Sequence, residues 1–289
     1  MGAAVARQSS AAIVWLASFP KSGNTWFRIF LANLAAGESG PADINNLDER
    51  GGIASSRQEF EAVTMLDSGL LSHDDIDNLR PRVYQAMAAD ESGQRWIKVH
   101  DAYTQTPDGE PLLGQDVARA AVYLVRDPRD VAVSLSCHNS TSIDDAIQLM
   151  NAADGALCGS RKGFATQLRQ KLLGWSGHVT SWLDQRDVPV HLVRYEDLQL
   201  SPAACFGAAV GFAGRAATLG EIERAIQHAD FAALQRQEIA KGFGERVSRT
   251  APFFRAGRSG GWREELSAEQ AHAIEQCHGA VMSRLGYQF

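Results

Sequence analysis

Ile13-Val14-Trp15-Leu16-Ala17-Ser18-Phe19, followed by Pro20-Lys21-Ser22-Gly23-Asn24-Thr25-Trp26, is the stretch that decides the fold. The first seven residues are almost wholly apolar and end at a proline and a small polar turn, the pattern of a strand buried on both faces. Beyond the turn, Trp26, Phe27, Phe30, Leu31 and Leu34 recur at helical spacing. The chain therefore reads strand, tight loop, helix. Backbone amides left free at a helix start, together with the helix dipole, form a natural anion site. A lysine and two hydroxyls at that junction point to phosphate or a close relative.

Working outward, short apolar strands are expected at 96–100, 120–125 and 188–194. Helices are expected at 74–89, 131–137, 143–151, 167–183, 202–213, 219–227, 230–236 and 267–285, with a brief one at 116–119. Ser72 and Asp127 read as helix caps, and Pro128 fits a first helical position. Residues 1–12 are small and Ala-rich and read as a frayed end. The irregular stretch 37–72 leaves room for short helices. Residues 139–170 hold Ser, Asn, Asp and Gly clusters and read as a lid or acceptor-binding segment. No internal repeat or linker divides the chain, so residues 1–289 are read as one α/β domain, a parallel β-sheet flanked by helices. Lys21, His100, Arg126 and Tyr195 all fall at the C-terminal ends of predicted strands, where open α/β sheets bind ligands. Strand alternation sets Trp96, Lys98 and His100 on one side.

Composition limits the function classes. The 289 residues are 45% hydrophobic and 21% charged with a net charge of −6, ordinary for a soluble protein and against a nucleic-acid-binding surface. Any anion site must be local. Cys137, Cys158, Cys205 and Cys277 are scattered with no metal-ligand spacing, which argues against zinc and for a reduced, cytoplasmic setting. No apolar run approaches the ~18–20 residues of a membrane span.

Four motifs in order then suggest a family. Lys21 precedes Gly23, the reverse of a Walker loop, and Trp26 follows Thr25. This order resembles the phosphosulfate loop of the sulfotransferases that use 3′-phosphoadenosine 5′-phosphosulfate (PAPS). Arg126-Asp127-Pro128-Arg129-Asp130-Val131-Ala132-Val133-Ser134 is similar to that family's strand-to-helix element, in which an Arg and a Ser eight residues on hold the 3′-phosphate. Val193-Arg194-Tyr195-Glu196-Asp197-Leu198 resembles its Tyr-Glu-Asp-Leu segment, and Phe253 to Arg263 its late Gly-rich motif.

The resemblance implies the sulfotransferase variant of the P-loop NTPase-like fold, and a role for each matched position. Lys21 and the loop amides of Ser22, Gly23, Asn24 and Thr25 are expected to hold the 5′-phosphosulfate, with Trp26 stacked on adenine. Arg126, Ser134, Arg255 and the Gly257 amide are expected at the 3′-phosphate. Tyr195 and Phe231 are expected against adenine. Lys98 and His100 match the family's Lys-x-His segment, which makes His100 the general base, Lys21 the stabiliser of the leaving phosphate, and Lys98 and Ser134 its helpers. Sulfuryl transfer to a hydroxyl of a small-molecule acceptor follows, with PAP (3′-phosphoadenosine 5′-phosphate) as product and no metal, nucleic acid or membrane as partner. Tyr103, Trp175 and Phe164, with residues 37–75 and 139–170, are expected to shape the acceptor pocket. Taken singly, Trp26, Phe231 and Tyr195 also admit a reading as packed aromatics, and Ser134 as a helix serine bonded to its own backbone.

Departures also stand out. Gly261 and Ala256 occupy positions where the family has Asp and Lys, and Arg263, Ser267 and Ala268 do not reproduce its dimer motif. Oligomeric state is left open. A P-loop kinase would need Lys after the last glycine and a Mg²⁺-holding carboxylate, and neither is in place. A non-catalytic nucleotide-binding protein would have no need of the Lys21–His100 pair.

Overall fold

The computed structural model describes residues 12–47, 51–89, 93–160, 165–248 and 251–289. Phe164 and the expected frayed start, but for residue 12, lie outside them.

The opening strand is β1 (Ile13–Ser18), all six residues buried, and it leads into α1 (Asn24–Ala36). The next elements are α2 (Arg57–Thr64), a 3-10 turn at Ser68–Leu70, and α3 (His73–Ala88). They are followed by β2 (Arg95–Val99), β3 (Ala118–Val125), α4 (Pro128–Asn139) and α5 (Ile143–Asn151). A two-stranded ribbon, β4 (Ala156–Leu157) and β5 (Gln170–Lys171), precedes α6 (Gly174–Asp184) and β6 (Val190–Arg194). The chain ends in α7 (Tyr195–Leu200), α8 (Pro202–Phe212), α9 (Leu219–His228), α10 (Phe231–Lys241), α11 (Trp262–Glu265) and α12 (Ala268–Arg284).

The main sheet is wholly parallel, in the order β2-β1-β3-β6, so β1 and β3 are central. Their side chains alternate between two cores, as strand geometry requires. Ile13, Trp15 and Ala17 join α3, α4, α5, α6 and α12 on one face. Leu16, Val122 and Leu124 meet α1, α8 and α9 on the other. Helices on both faces hide the sheet, which is why β1 and β3 read as unbroken apolar runs.

The expected α/β architecture and most element centres agree with the structure. One helix does not. The segment 167–183 carries Leu168, Leu172, Trp175, Val179 and Trp182 at helical spacing, yet α6 starts only at Gly174. Leu173 (φ 59°) and Gly174 (φ 66°) are both left-handed, a pair that a right-handed helix excludes. Residues four apart also share one face of an extended segment, so Leu168 and Leu172 are buried without a helix. The brief helix expected at 116–119 is likewise absent, because Asp116 is left-handed (φ 57°) and β3 begins at Ala118. The expected caps Ser72 and Asp127 are in place, accepting from the amides of Asp75 and Arg129.

Candidate active site

The loop between β1 and α1 is shaped by two left-handed residues, Lys21 (φ 69°) and Gly23 (φ 104°). A Cβ at Gly23 would stand 2.7 Å from the Tyr195 ring, so both conformation and space require glycine there. Asn24 fastens the helix start to the strand, its amide donating to the Leu16 carbonyl (2.9 Å) and to Ser18 Oγ (3.2 Å). The first turn of α1 carries no acidic residue, which leaves its positive end uncompensated. Ser22 is fully buried, and its Oγ has no hydrogen-bond partner among the described residues.

Lys21 makes no ion pair among the described residues. Its Nζ lies 4.0 Å from the centroid of the Phe253 ring. Burial, then the charges of Lys98 and Arg126, lower its pKa to about 7. A lysine held this way is stabilised by any incoming anion.

His100 follows the last residue of β2. Its Nδ1 lies 2.7 Å from the Ser18 carbonyl, which fixes the proton on that nitrogen and leaves Nε2 as a lone-pair acceptor. Burial, and next the Lys98 charge, hold its pKa well below 6.5, so the ring is neutral at physiological pH. Its backbone is pinned too. Tyr123 Oη donates to His178 Nδ1 (2.8 Å), and His178 Nε2 donates to the His100 carbonyl (3.0 Å). The next residue, Asp101, accepts a two-pronged pair from Arg80 (2.9 and 2.6 Å), both side chains fully buried.

Lys98, two residues before His100, reaches Glu245 at 3.3 Å. Glu245 also pairs with Arg28 and accepts from Thr25 Oγ1 (3.4 Å). Burial alone would raise this carboxyl, but Lys98 and Arg28 bring it down to about 2, so it is a permanent anion.

A second cationic cluster forms at the end of β3. The Arg126 guanidinium lies over the Tyr195 ring (4.5 Å) and donates to the carbonyls of Arg258 (2.9 Å) and Lys21 (3.4 Å). Ser134, on the inner face of α4, makes no hydrogen bond among the described residues and lines the cleft. The Gly-rich loop is fixed by Asp130, which accepts from the amides of Gly260 (2.6 Å) and Trp262 (3.0 Å). Arg255 is paired with Glu265 by two bonds (3.0 and 2.9 Å), and Arg258 with Glu264. Gly257 is left-handed (φ 59°), and a Cβ there would fall 2.3 Å from the Phe231 ring. Trp26 meets Tyr195 edge to face (5.9 Å) and donates to the Ala229 carbonyl (3.0 Å).

These groups enclose one cleft of about 560 Å³, within the usual range for a small-molecule site. It is lined by Lys21, Gly23, Asn24, Thr25 and Trp26 from the loop and by Lys98, His100, Arg126, Ser134, Tyr195, Phe231, Arg255 and Gly257. Every expected site residue except Ser22 is therefore a neighbour of the rest. The expected acceptor wall is corrected in part. Trp175 is buried in the core against His278, and Tyr103 bonds Asp187 at the surface, so neither faces the cleft. No described residue of 37–75 lines it either. From the segment 139–170, Leu157, Cys158, Gln167 and Gln170 do. No motif marks Glu245, or Asp130 as a loop anchor, because their partners are distant in the chain, and Gln170 is masked by the helical spacing of its neighbours.

Comparison with known proteins agrees with this geometry. The sulfotransferase domain family matches residues 12–286. Luciferin sulfotransferase of Photinus pyralis is 23% identical over 266 residues, covering 88% of this chain and 67% of the relative. Cytosolic sulfotransferase 16 of Arabidopsis thaliana is 21% identical, covering 89% and 72%. Among solved structures, retinol dehydratase with androsterone and the inactive cofactor PAP superposes with a TM-score of 0.60 at 20% identity, covering 94% of this chain and 80% of that one. Its complex with retinol and PAP gives 0.62 at 19% identity, covering 94% and 81%. A family match across almost the whole length, on a parallel sheet whose β1–α1 loop sets Lys21 in the same cleft as His100, makes this chain a member of the sulfotransferase domain family.

Proposed function

We propose that this protein transfers the sulfuryl group of PAPS to a hydroxyl of a small-molecule acceptor, with His100 as general base. The observation that carries the reading is His100 itself. Its Nδ1 proton is committed to the Ser18 carbonyl, and it shares one cleft with Lys21; among the described residues its Nε2 lone pair is unused and Lys21 has no ion pair. The residues present fit a nucleotide with phosphates at both ends. The cleft carries Lys21 with the amide-rich loop and also Arg126, Ser134 and Arg255, and Trp26, Tyr195 and Phe231 supply aromatic surface for a base.

In the reaction, His100 Nε2 takes the proton of the acceptor hydroxyl as that oxygen bonds to sulfur. The bond from sulfur to the bridging oxygen breaks, and Lys21 neutralises the charge left on the 5′-phosphate. By analogy with phosphoryl transfer, the transition state is loose and in line, so positioning and charge do most of the work. Lysine and arginine supply the positive charge, and the scheme calls for no metal. Lys98 and Ser134 tune the charge around the bridging oxygen. Leu157, Cys158, Gln167 and Gln170 bound the acceptor side, and the enzyme works in the cytoplasm. Among the described residues no helix is long and apolar enough to cross a membrane.

A thermal-shift experiment checks the cofactor. PAP should raise the melting temperature without Mg²⁺, while stabilisation by ATP only with Mg²⁺ would indicate a kinase instead.

A further inference from the structure

The wall beyond His100 is built from the β4–β5 ribbon. The ribbon is fixed to the catalytic strand end: the Ala102 amide donates to the Lys171 carbonyl (2.7 Å), and the Lys171 amide to Asp101 Oδ1 (3.2 Å). Asp101 is itself locked by Arg80. Gln170, one residue before this anchor, is 1% exposed and lines the cleft together with His100. Its Nε2 donates to Gln167 Oε1 (3.0 Å), and Ser55 Oγ donates to the same oxygen (3.1 Å).

Those bonds use both lone pairs of Gln167 Oε1. They leave Gln170 Oε1 buried with no partner among the described residues, while the amide nitrogen of the half-buried Gln167 still has its donors to offer. A buried polar atom left unpaired costs about 1–3 kcal/mol, and native proteins tolerate few. An apolar acceptor would be served better by leucine at 170. The rest of this wall is also largely polar, with His138, Asn139 and Thr166 beside Leu157.

We propose that Gln167 and Gln170 are specificity-determining residues that hold a hydroxyl next to the one being sulfated, so that the acceptor is a polyhydroxylated molecule of sugar or cyclitol type. This rests on the sulfotransferase reading above. A neighbouring hydroxyl donates to the orphan Gln170 Oε1 and accepts from the Gln167 amide nitrogen. It fixes the acceptor about its reacting oxygen, the kind of orientation that raises transfer rates. An alcohol lacking the second hydroxyl leaves Gln170 Oε1 unpaired and is rejected for that reason.

The test measures transfer from labelled PAPS to a panel of methyl glycosides and cyclitols against steroid, terpenoid and simple phenolic alcohols. Sulfation of a glycoside or cyclitol with kcat/KM above that of every monohydroxy alcohol is expected. Gln170→Leu should then raise KM for the best polyol by about 10- to 100-fold. It should leave the thermal shift given by PAP unchanged and narrow the preference over monohydroxy alcohols. A monohydroxy apolar alcohol used as well as the best polyol, no polyol used at all, or a Gln170→Leu variant with unchanged preference would each overturn the proposal. Failure of PAP to stabilise the parent protein would be a different failure: it would remove the sulfotransferase reading, and this proposal with it.

Discussion

Lys21 provides the sharpest quantitative prediction, because its pKa of about 7 puts the charge of the phosphosulfate loop inside the working pH range. Below pH 7 the ammonium is present and PAP affinity should be flat. Above it, the free protein holds Lys21 neutral, and binding the 5′-phosphate must first return a proton to it. With the bound-state pKa restored toward the ordinary lysine value of ~10.4, affinity should fall by nearly tenfold per pH unit. Between pH 7 and 9 the loss works out at about 50-fold, or about 2.3 kcal/mol. Titration calorimetry with PAP in buffers of different ionisation enthalpy reads both quantities, since proton uptake should rise toward one per site by pH 9. Neutral Lys21→Met should bind more weakly and without this pH dependence. Affinity in the parent protein that is constant from pH 7 to 9, with no proton uptake, would refute the reasoning. The same residue affects folding. A lysine pKa lowered in the folded state means that the unfolded chain binds the extra proton between about 7 and ~10.4, so stability rises with pH through that window. Lys21→Met should therefore raise the melting temperature of the free protein, and by more at pH 6 than at pH 9.

Two further outcomes follow from packing. Gly257→Ala must strain a left-handed residue, by about 1–2 kcal/mol, and push the Phe231 ring from its place 2.3 Å from the new Cβ. PAP affinity measured by calorimetry should drop about 10- to 100-fold, and unchanged affinity would show that neither Gly257 nor Phe231 bears on the cofactor. Arg80→Met leaves the Asp101 carboxylate buried beside an apolar chain and should destabilise the protein by about 3–5 kcal/mol in urea titration. Adding Asp101→Leu should recover much of that loss, whereas an additive double variant would mean that the pair is not coupled.

The parts of this site legible in the sequence are those in which covalent neighbours carry the message. The β1 run, the reversed Lys21–Gly23 order and the Asp127-Pro128 helix start are local patterns, and the structure forms each where the residues stand. The sheet edge likewise gathers Lys21, His100, Arg126 and Tyr195, because parallel strands end together. What stayed hidden depends on distant pairing. Thr25 and Glu245 are 220 residues apart, and Asp130 and Gly260 are 130 apart. The segment 167–183 misled for a different reason: apolar residues four apart satisfy both a helix and an extended strand, and only the left-handed pair Leu173–Gly174 decides between them. Gln170, expected on that helix, instead ends up in the cleft wall.

Whether His100 takes the proton during sulfuryl transfer is read from single-turnover transfer of labelled sulfate from PAPS by His100→Ala. The rate should fall by about 10²- to 10⁴-fold, with PAP affinity within about threefold of the parent protein. Transfer by His100→Ala at the parent rate would contradict that role for His100.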